Sequence, residues 1–335
     1  MSKPESSLDM LMAKLEQGVQ SLFHSEQYEA YLKTMSKFHE YSVNNTILIC
    51  MQRPDASYVA GYQAWKKSFK RQVRRGERGI KILAPCPYQV TVEQNKLDPQ
   101  TQQLVTEQVE ITRAAFKPVT VFDISQTEGE PLPQLGVHAL TGSVAHYAAF
   151  LEALRAVSPY PVVFAEITTG AKGYCSYKKG EIVICEGMSQ VQTVKTAIHE
   201  ISHAMLHAPV VGDSGASQGS SPDRHTREVE AESEAYVVCQ HFGIDTSEYS
   251  FGYVAAWSSG RDARELKASL ETIRQTASTL ISDITHRLPQ LQKVRGVLPD
   301  RTDRSEKKPP EPGWHLANRG KSAGRGARKQ GGEAR

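Results

Sequence analysis

His199, Glu200 and His203 stand in the pattern HExxH, inside a segment whose apolar residues Val191, Val194, Ala197, Ile198, Ile201, Met205 and Leu206 recur at helical spacing. No Gly or Pro interrupts the chain between Ser189 and Ala208, so the segment reads as one buried helix. Residues four apart share a helical face, which brings both imidazoles to one point and suits them to a shared tetrahedral zinc. Glu200 is displaced around the helix, close enough to reach a water on that metal and act as its general base. Two imidazoles leave zinc short of a third protein ligand, and the Glu-rich stretch from Arg227 to His241 is the element placed to supply it. There Glu228 and Glu232 are four apart and share a face, whereas Glu230 and Glu234 lie around the helix from them and are expected to face solvent. The bland alternative is a helix without metal, but a Glu and two His on a core-facing helix are costly to bury unless paired or bound to an ion. One zinc per chain is the expected cofactor, and the same donors also accept another divalent metal.

A second pattern with chemical content runs from Trp65 to Lys81. Eight Lys or Arg (Lys66, Lys67, Lys70, Arg71, Arg74, Arg75, Arg78, Lys81) face the single acid Glu77, with Trp65 and Phe69 interleaved. Cations engage phosphates and exposed aromatic faces stack on unpaired bases, so the mixture suits a groove for single-stranded nucleic acid. On spacing alone it suits equally a solvated basic face whose Trp and Phe belong to the core.

The elements that must position these groups divide the chain in three. With 335 residues, 39% hydrophobic and 23% charged, the chain can bury a sizeable core and form two globular domains and a tail. Residues 8–67 are helical: Leu8, Leu11, Leu15 and Val19 make one stripe, and Tyr28, Tyr31, Leu32, Met35 and Phe38 a second. Asn44 or Asn45 caps a third helix that ends before Pro54. Strand patterns follow Gly79, and 126–134 (QTEGEPLPQ) reads as an exit linker, giving an N-terminal α+β domain over 1–133. A second domain over 134–290 opens with a helix at 143–157 and continues through strand-like runs at 161–167, 173–177 and 181–185 to the HExxH helix. The Gly- and Ser-rich loop 211–224 separates the two metal helices, and a long amphipathic helix at 264–288 closes the domain. Residues 291–335 form a basic, disordered tail able to add phosphate contacts.

Composition narrows the setting. No run approaches the ~18 apolar residues of a membrane span, and the N-terminus has a helical polar pattern in place of a signal peptide's apolar core. The five Cys are scattered without a CxxC, which fits a reducing cytoplasm and a His/Glu metal site better than a Cys site. His207 reads as a helix-terminal residue facing the last carbonyls, and Tyr249 and Tyr253 read as packing residues before oxyanion donors.

The stretches GYQAWKKSFKRQVRRGERGIKILAP (61–85) and FKPVTVFDISQTEGEPLP (116–133) resemble the N-terminal single-stranded-DNA-binding domain of ArdC-type antirestriction proteins, which conjugative plasmids and related mobile elements encode. HEISHAMLH and the Glu-rich helix after it are similar to the zincin domain of those proteins, itself related to the ImmA/IrrE metallopeptidases. The likeness covers most of residues 10–258. It implies single-stranded DNA as partner, bound without strong sequence preference, and protection of incoming plasmid DNA from restriction endonucleases. It also implies Glu232 as third ligand, because Ala231, Glu232 and Ala235 match the family's AE-x-x-A pattern, with Glu228 in reserve. The strand preceding the HExxH helix would then be an antiparallel edge that offers main-chain hydrogen bonds to a peptide. The expectation is therefore an α+β protein, a helical and small-sheet DNA-binding domain followed by a zincin-like one. Its alternatives are a zinc endopeptidase that cleaves a repressor or DNA-bound protein, and a DNA-binding protein whose metal is structural.

Overall fold

The computed structural model describes residues 7–97, 104–132, 144–209, 222–247, 249 and 251–294. Helices α1 (Ser7–Leu22), α2 (Ser25–Phe38) and α3 (Val43–Gln52) come first. Their apolar stripes are buried as the spacing requires, Leu15, Tyr28, Leu32, Met35 and Leu48 being almost wholly covered. The α3 cap is Ser42, whose hydroxyl accepts from Asn45 N. Asn45, expected as a cap, instead pairs its side-chain amide with both backbone groups of Leu83 (2.9 and 2.8 Å), tying α3 to the sheet.

The sheet region follows as β1 (Val59–Gly61), α4 (Tyr62–Lys67), β2 (Arg71–Val73), β3 (Ile80–Pro85), β4 (Tyr88–Leu97), β5 (Leu104–Arg113), β6 (Phe116–Asp123) and β7 (Thr127–Gly129). β6 is central in an antiparallel β1-β6-β3 sheet, with Val121 opposite both Gly61 and Ile80. β4 and β5 form a separate antiparallel hairpin. Ile80 and Ile82 turn into the core against Phe38 and Ile49 while Lys81 between them is exposed, the alternation of a one-sided sheet. The stretch read as an exit linker contains β7, which pairs with β2 in register Val73↔Thr127. Asp123 closes this region: its carboxylate accepts from Ser57 N (2.7 Å), Tyr58 N (3.0 Å) and Ser125 N (2.8 Å). Burial pushes that carboxyl up, but the Ser125, Ser57 and Tyr58 hydrogen bonds prevail and hold it below its usual range.

The second half comprises α5 (Val144–Val157), β8 (Val162–Ala165), β9 (Gly173–Ser176), β10 (Glu181–Cys185), α6 (Gln190–His207), α7 (Arg224–His241), α8 (Val254–Ser258) and α9 (Ala263–Val294). β10 is central, parallel to β8 and antiparallel to β9, so the strand that directly precedes α6 is not the edge expected of it, and β9 is an outer strand instead. Its Ile182, Val183 and Ile184 are buried on both faces, as a run without alternation predicts. α6 lies across β9 and β10, α7 lies along α6, and the buried stripe of α9 from Leu266 to Leu288 covers α5 and α7. The largest core cluster takes in Leu15, Tyr28 and Leu48 from the first three helices together with Phe150, Ile198 and Ile273 from the second half. The two halves therefore share apolar packing, and the Arg274 guanidinium of α9 donates to His39 O (3.0 Å) just past α2. The loop 211–224 lies outside the described residues except for 222–224, and the tail does so from 295 onward. Among the described residues, no helix is long and apolar enough to cross a membrane.

Candidate metal centre and nucleic-acid face

α6 begins at Ser189, whose hydroxyl accepts from Gln192 N, and presses Val194, Ala197, Ile198, Ile201 and Ala204 into the core. That burial leaves His199 and His203 on the opposite rim, their rings edge to face with centroids 4.7 Å apart and their Nε2 atoms 3.2 Å apart. α7 is capped by Asp223 and runs beside them. Glu228 Oε2 lies 3.9 Å from His199 Nε2 and 3.5 Å from His203 Nε2. His199, His203 and Glu228 thus bring one donor atom each within 4.8 Å of one another, the spacing of a single ion's ligands.

Glu232 stands elsewhere. Its Oε2 is 3.3 Å from Nδ1 of His199, on the far side of the ring from Nε2. Nδ1 is buried and lacks an aligned hydrogen-bond partner among the described residues, and Glu232 is within reach of this nitrogen, the one that an Nε2-bound metal would leave protonated. The carboxylate that converges with the two Nε2 atoms in this arrangement is therefore Glu228, held in reserve on sequence grounds, while Glu232 lies beside the other nitrogen of the His199 ring. Both glutamates share the helical face that spacing predicts; which one meets Nε2 is decided by the offset between α6 and α7, a tertiary quantity.

Behind His203 runs a chain that the sequence did not reveal. His203 Nδ1 is 3.2 Å from His207 Nδ1, His207 Nε2 is 3.2 Å from Glu230 Oε2, and Ser269 of α9 donates to Glu230 Oε1 (2.7 Å). If His203 Nε2 accepts a metal, its Nδ1 carries the proton, which requires His207 to accept at Nδ1 and donate from Nε2 to Glu230; every group in the chain is then satisfied. His207 accordingly faces Glu230 and not the last helix carbonyls. Glu230 and Glu234, expected to face solvent, are buried, because α7 is enclosed by α2, α6 and α9. Among the described residues neither oxygen of Glu234 has a hydrogen-bond partner, and burial pushes its carboxyl up to about 8 against a lowering contribution from nearby Ser202.

Glu200 lies under β9, whose Cys175 backbone hydrogen-bonds its carboxylate. Burial raises its pKa, against the lowering influence of His199 and His203. The same shielding pushes His199 down, yet the Glu232, Glu200 and Glu228 carboxylates hold it above its usual range. Glu228, bonded to His203, is held below its own. A Cβ on Gly173 would come within 2.7 Å of Thr196 Cγ2 and 3.0 Å of Val183 O, so only glycine lets β9 approach α6 this closely. Two cavities of about 420 and 360 Å³ flank the centre and share Gly173, His199 and Glu200 as lining. Tyr249 lines the second, its hydroxyl 3.9 Å from Cys239 Sγ.

The basic stretch meets a different fate. Trp65, expected to stack on bases, is fully buried: its indole N–H donates to Phe122 O (2.9 Å) and its ring packs against Tyr58 and Phe69. Phe69 is half-buried in the same cluster. Arg71 is spent on Thr127 Oγ1 and the carbonyls of Thr127 and Gly129, and Arg74 on Ser125 O and Glu77. Lys70 pairs with Glu130 (3.5 Å), and Lys81 donates to Thr120 Oγ1 (2.6 Å). Lys66, Lys67, Arg75 and Arg78 are exposed, with no side-chain partner among the described residues. Among the described residues of the first half, the exposed aromatic rings are instead Tyr62, Tyr88 and Phe116. Of these, Tyr62 packs edge-on to Phe122 one strand from Lys81.

Residues 4–122, spanning the three helices and most of the sheet region, match the family model for the N-terminal domain of anti-restriction factor ArdC. The similarity to the ArdC family thus lies in the first part of the chain, residues 4–122. An uncharacterized protein of Bacillus anthracis is 29% identical over an alignment of 306 residues that covers 78% of this chain; the chain spans about half of that relative's length, 48%. Two crystal structures of the antirestriction ArdC protein from plasmid R388 also show a likeness, each with a TM-score of 0.43. The metal-free one is 20% identical and covers 73% of this chain and 85% of its own. The Mn(II)-bound one is 17% identical and covers 87% and 100%.

Proposed function

We propose that this ArdC-type protein binds unpaired DNA without strong sequence preference and that its second half is a metal-dependent peptidase. The convergence of His199 Nε2, His203 Nε2 and Glu228 Oε2 beside the shielded Glu200 carries the second part. Two imidazoles and one carboxylate suit zinc, one ion per chain, and accept other divalent metals. When bound, the ion polarises a peptide carbonyl and acidifies the attacking water. Glu200 takes that water's proton and returns it to the leaving amine, a transfer helped by a carboxyl whose pKa burial has moved toward neutrality. β9, the outer strand above α6, presents main-chain groups to an extended peptide and so lines a carbonyl up with Glu200. The His207-Glu230-Ser269 chain fixes the His203 ring, and the Glu232 carboxylate fixes that of His199.

For the DNA-binding part, the free cations Lys66, Lys67, Arg75 and Arg78 engage phosphates, and Tyr62 and Phe116 supply stacking faces. Zinc-loaded Glu200→Gln is expected to keep its metal and its affinity for single-stranded oligonucleotides while peptide hydrolysis falls by about 10²- to 10⁴-fold. Restriction protection by the same variant separates two routes within this reading: full protection means that bound DNA is shielded, and its loss with DNA binding intact means that proteolysis is required. Hydrolysis unchanged in Glu200→Gln refutes the assignment of the base.

A further inference from the structure

The two cavities beside the candidate centre differ in how their cations are occupied. In the 360 Å³ cavity Lys172 donates to Gln192 (3.0 Å) and Lys195 sits over the Tyr249 ring, 4.9 Å from its centroid. In the 420 Å³ cavity, Arg227 of α7 has its Nε buried, and among the described residues that Nε has no hydrogen-bond partner and no carboxylate pairs with the guanidinium. A guanidinium carries five donors in a fixed fork suited to a carboxylate, and leaving it unsatisfied is unfavourable. Arg224, one turn earlier and exposed, lines the same cavity and lends it further positive charge. Of the two carboxylates there, Glu228 converges with the imidazoles and Glu200 lies beside them, so a divalent ion offsets both. The net surplus in the loaded site is cationic. Tyr174 and Cys175 of β9 line this cavity too, so it extends along the outer strand from the centre at Gly173.

We propose that this cavity is a subsite for an acidic side chain, Asp or Glu, of an extended peptide laid along β9, with Arg227 as its bidentate partner and Arg224 at its mouth. The inference rests on the peptidase reading and names its substrate class. The strand edge favours a peptide over DNA here, because a strand's alternating N–H and C=O groups match another polypeptide backbone and have no counterpart in a phosphodiester chain.

The test uses terminally blocked extended peptides identical except for Glu, Gln or Lys at single positions on either side of the scissile bond. Cleavage by the zinc-loaded full chain and anisotropy binding to zinc-loaded Glu200→Gln are measured in parallel. One charge-assisted bidentate pair predicts about a tenfold or greater preference for Glu over Gln at one position in both measurements. Arg227→Glu should invert the preference toward Lys, and Arg227→Lys should restore part of it, which a merely structural role for Arg227 would not produce. Selective binding without turnover leaves the subsite standing and defeats the peptidase reading. Turnover with Glu and Gln peptides equal within twofold overturns the subsite, as does a single-stranded oligonucleotide that displaces the Glu peptide while the Glu and Gln peptides bind alike.

Discussion

The candidate metal centre and the basic stretch 65–81 were both marked by residue type and spacing, and the fold treats them oppositely. At the centre, side chains from α6 and α7 converge on one point, and even the buried groups behind them are aligned toward it. In the basic stretch the residues disperse: Trp65 goes to the core, Arg71 and Arg74 clamp the 125–129 segment, and Lys66, Lys67, Arg75 and Arg78 stay in solvent. Coordination needs three atoms in one small volume, so a local i,i+4 pair already constrains the answer. Phosphate attraction is long-ranged and tolerant of position, so a run of cations says little about which of them face the ligand.

The sharpest way to break the contrast is to remove a converging ligand. His199→Ala, His203→Ala or Glu228→Ala should abolish stoichiometric zinc in the purified protein, measured by elemental analysis, and lower the melting temperature of a domain whose folding is coupled to metal. Glu232→Ala and His207→Ala should instead weaken zinc by about 10- to 100-fold in a chelator competition. A larger loss for Glu232 than for Glu228 would reverse the roles given to the two carboxylates.

Next in size is Trp65→Ala. A fully buried aromatic with a satisfied N–H should cost about 3–5 kcal/mol of unfolding free energy in a denaturant titration. A stable variant that had lost only DNA affinity would return Trp65 to the stacking role expected from sequence.

What could be read beforehand divides along the same line. The α6 helix, its two imidazoles and Glu200 follow from period and from the absence of breakers, both properties of neighbouring residues. Glu228 and Glu232 could not be separated, because a shared face is local while the contact with a particular ring nitrogen depends on helix-to-helix offset. Burial of Glu230 and Glu234 was invisible for a related reason: α7 is covered on several sides, and an acid among Val229, Ala231 and Ala235 reads as the polar face of an ordinary surface helix. β2 and β7 were missed because each has three residues and owes its existence to the other, more than fifty positions away. The HExxH signal survives such tertiary effects; the aromatic and basic signal does not, since exposure is set by what folds over it.

A smaller effect tests the packing that joins the two regions. His39 follows α2, places Nδ1 3.1 Å from Ser278 Oγ of α9, and meets the His241 ring of α7 at 5.1 Å. Burial, His241 and Arg274 together lower its pKa from 6.5 to about 4. A depressed folded-state pKa means that the folded protein binds fewer protons, so the stability His39 contributes is present above about pH 6.5 and is lost as pH falls toward 4. Its magnitude across that window is roughly 2–3 kcal/mol. In His39→Gln the fall in unfolding free energy between pH 7 and pH 4 should be shallower by that amount, and identical slopes would show that the junction between the halves stays wet.

The last effect is the most modest and addresses the surface itself. Unpaired DNA releases counterions as cations neutralise phosphates, with a log–log salt slope of about −0.7 per contact. Replacing Lys66, Lys67, Arg75 and Arg78 together by Ala should therefore flatten the slope by about 2–3, with little change in melting temperature because none of the four is bonded within the described structure. Arg71→Ala and Arg74→Ala should do the reverse, lowering stability while leaving the slope nearly unchanged, since their guanidiniums are already engaged by Thr127, Gly129 and Ser125. An unchanged slope in the fourfold variant would move the DNA face off this stretch, toward the exposed rings of Tyr88 and Phe116 that flank the β4-β5 hairpin. A slope lost with Arg71 alone would mean that binding opens the β2-β7 pairing, so that the clamp and the contact compete for one side chain.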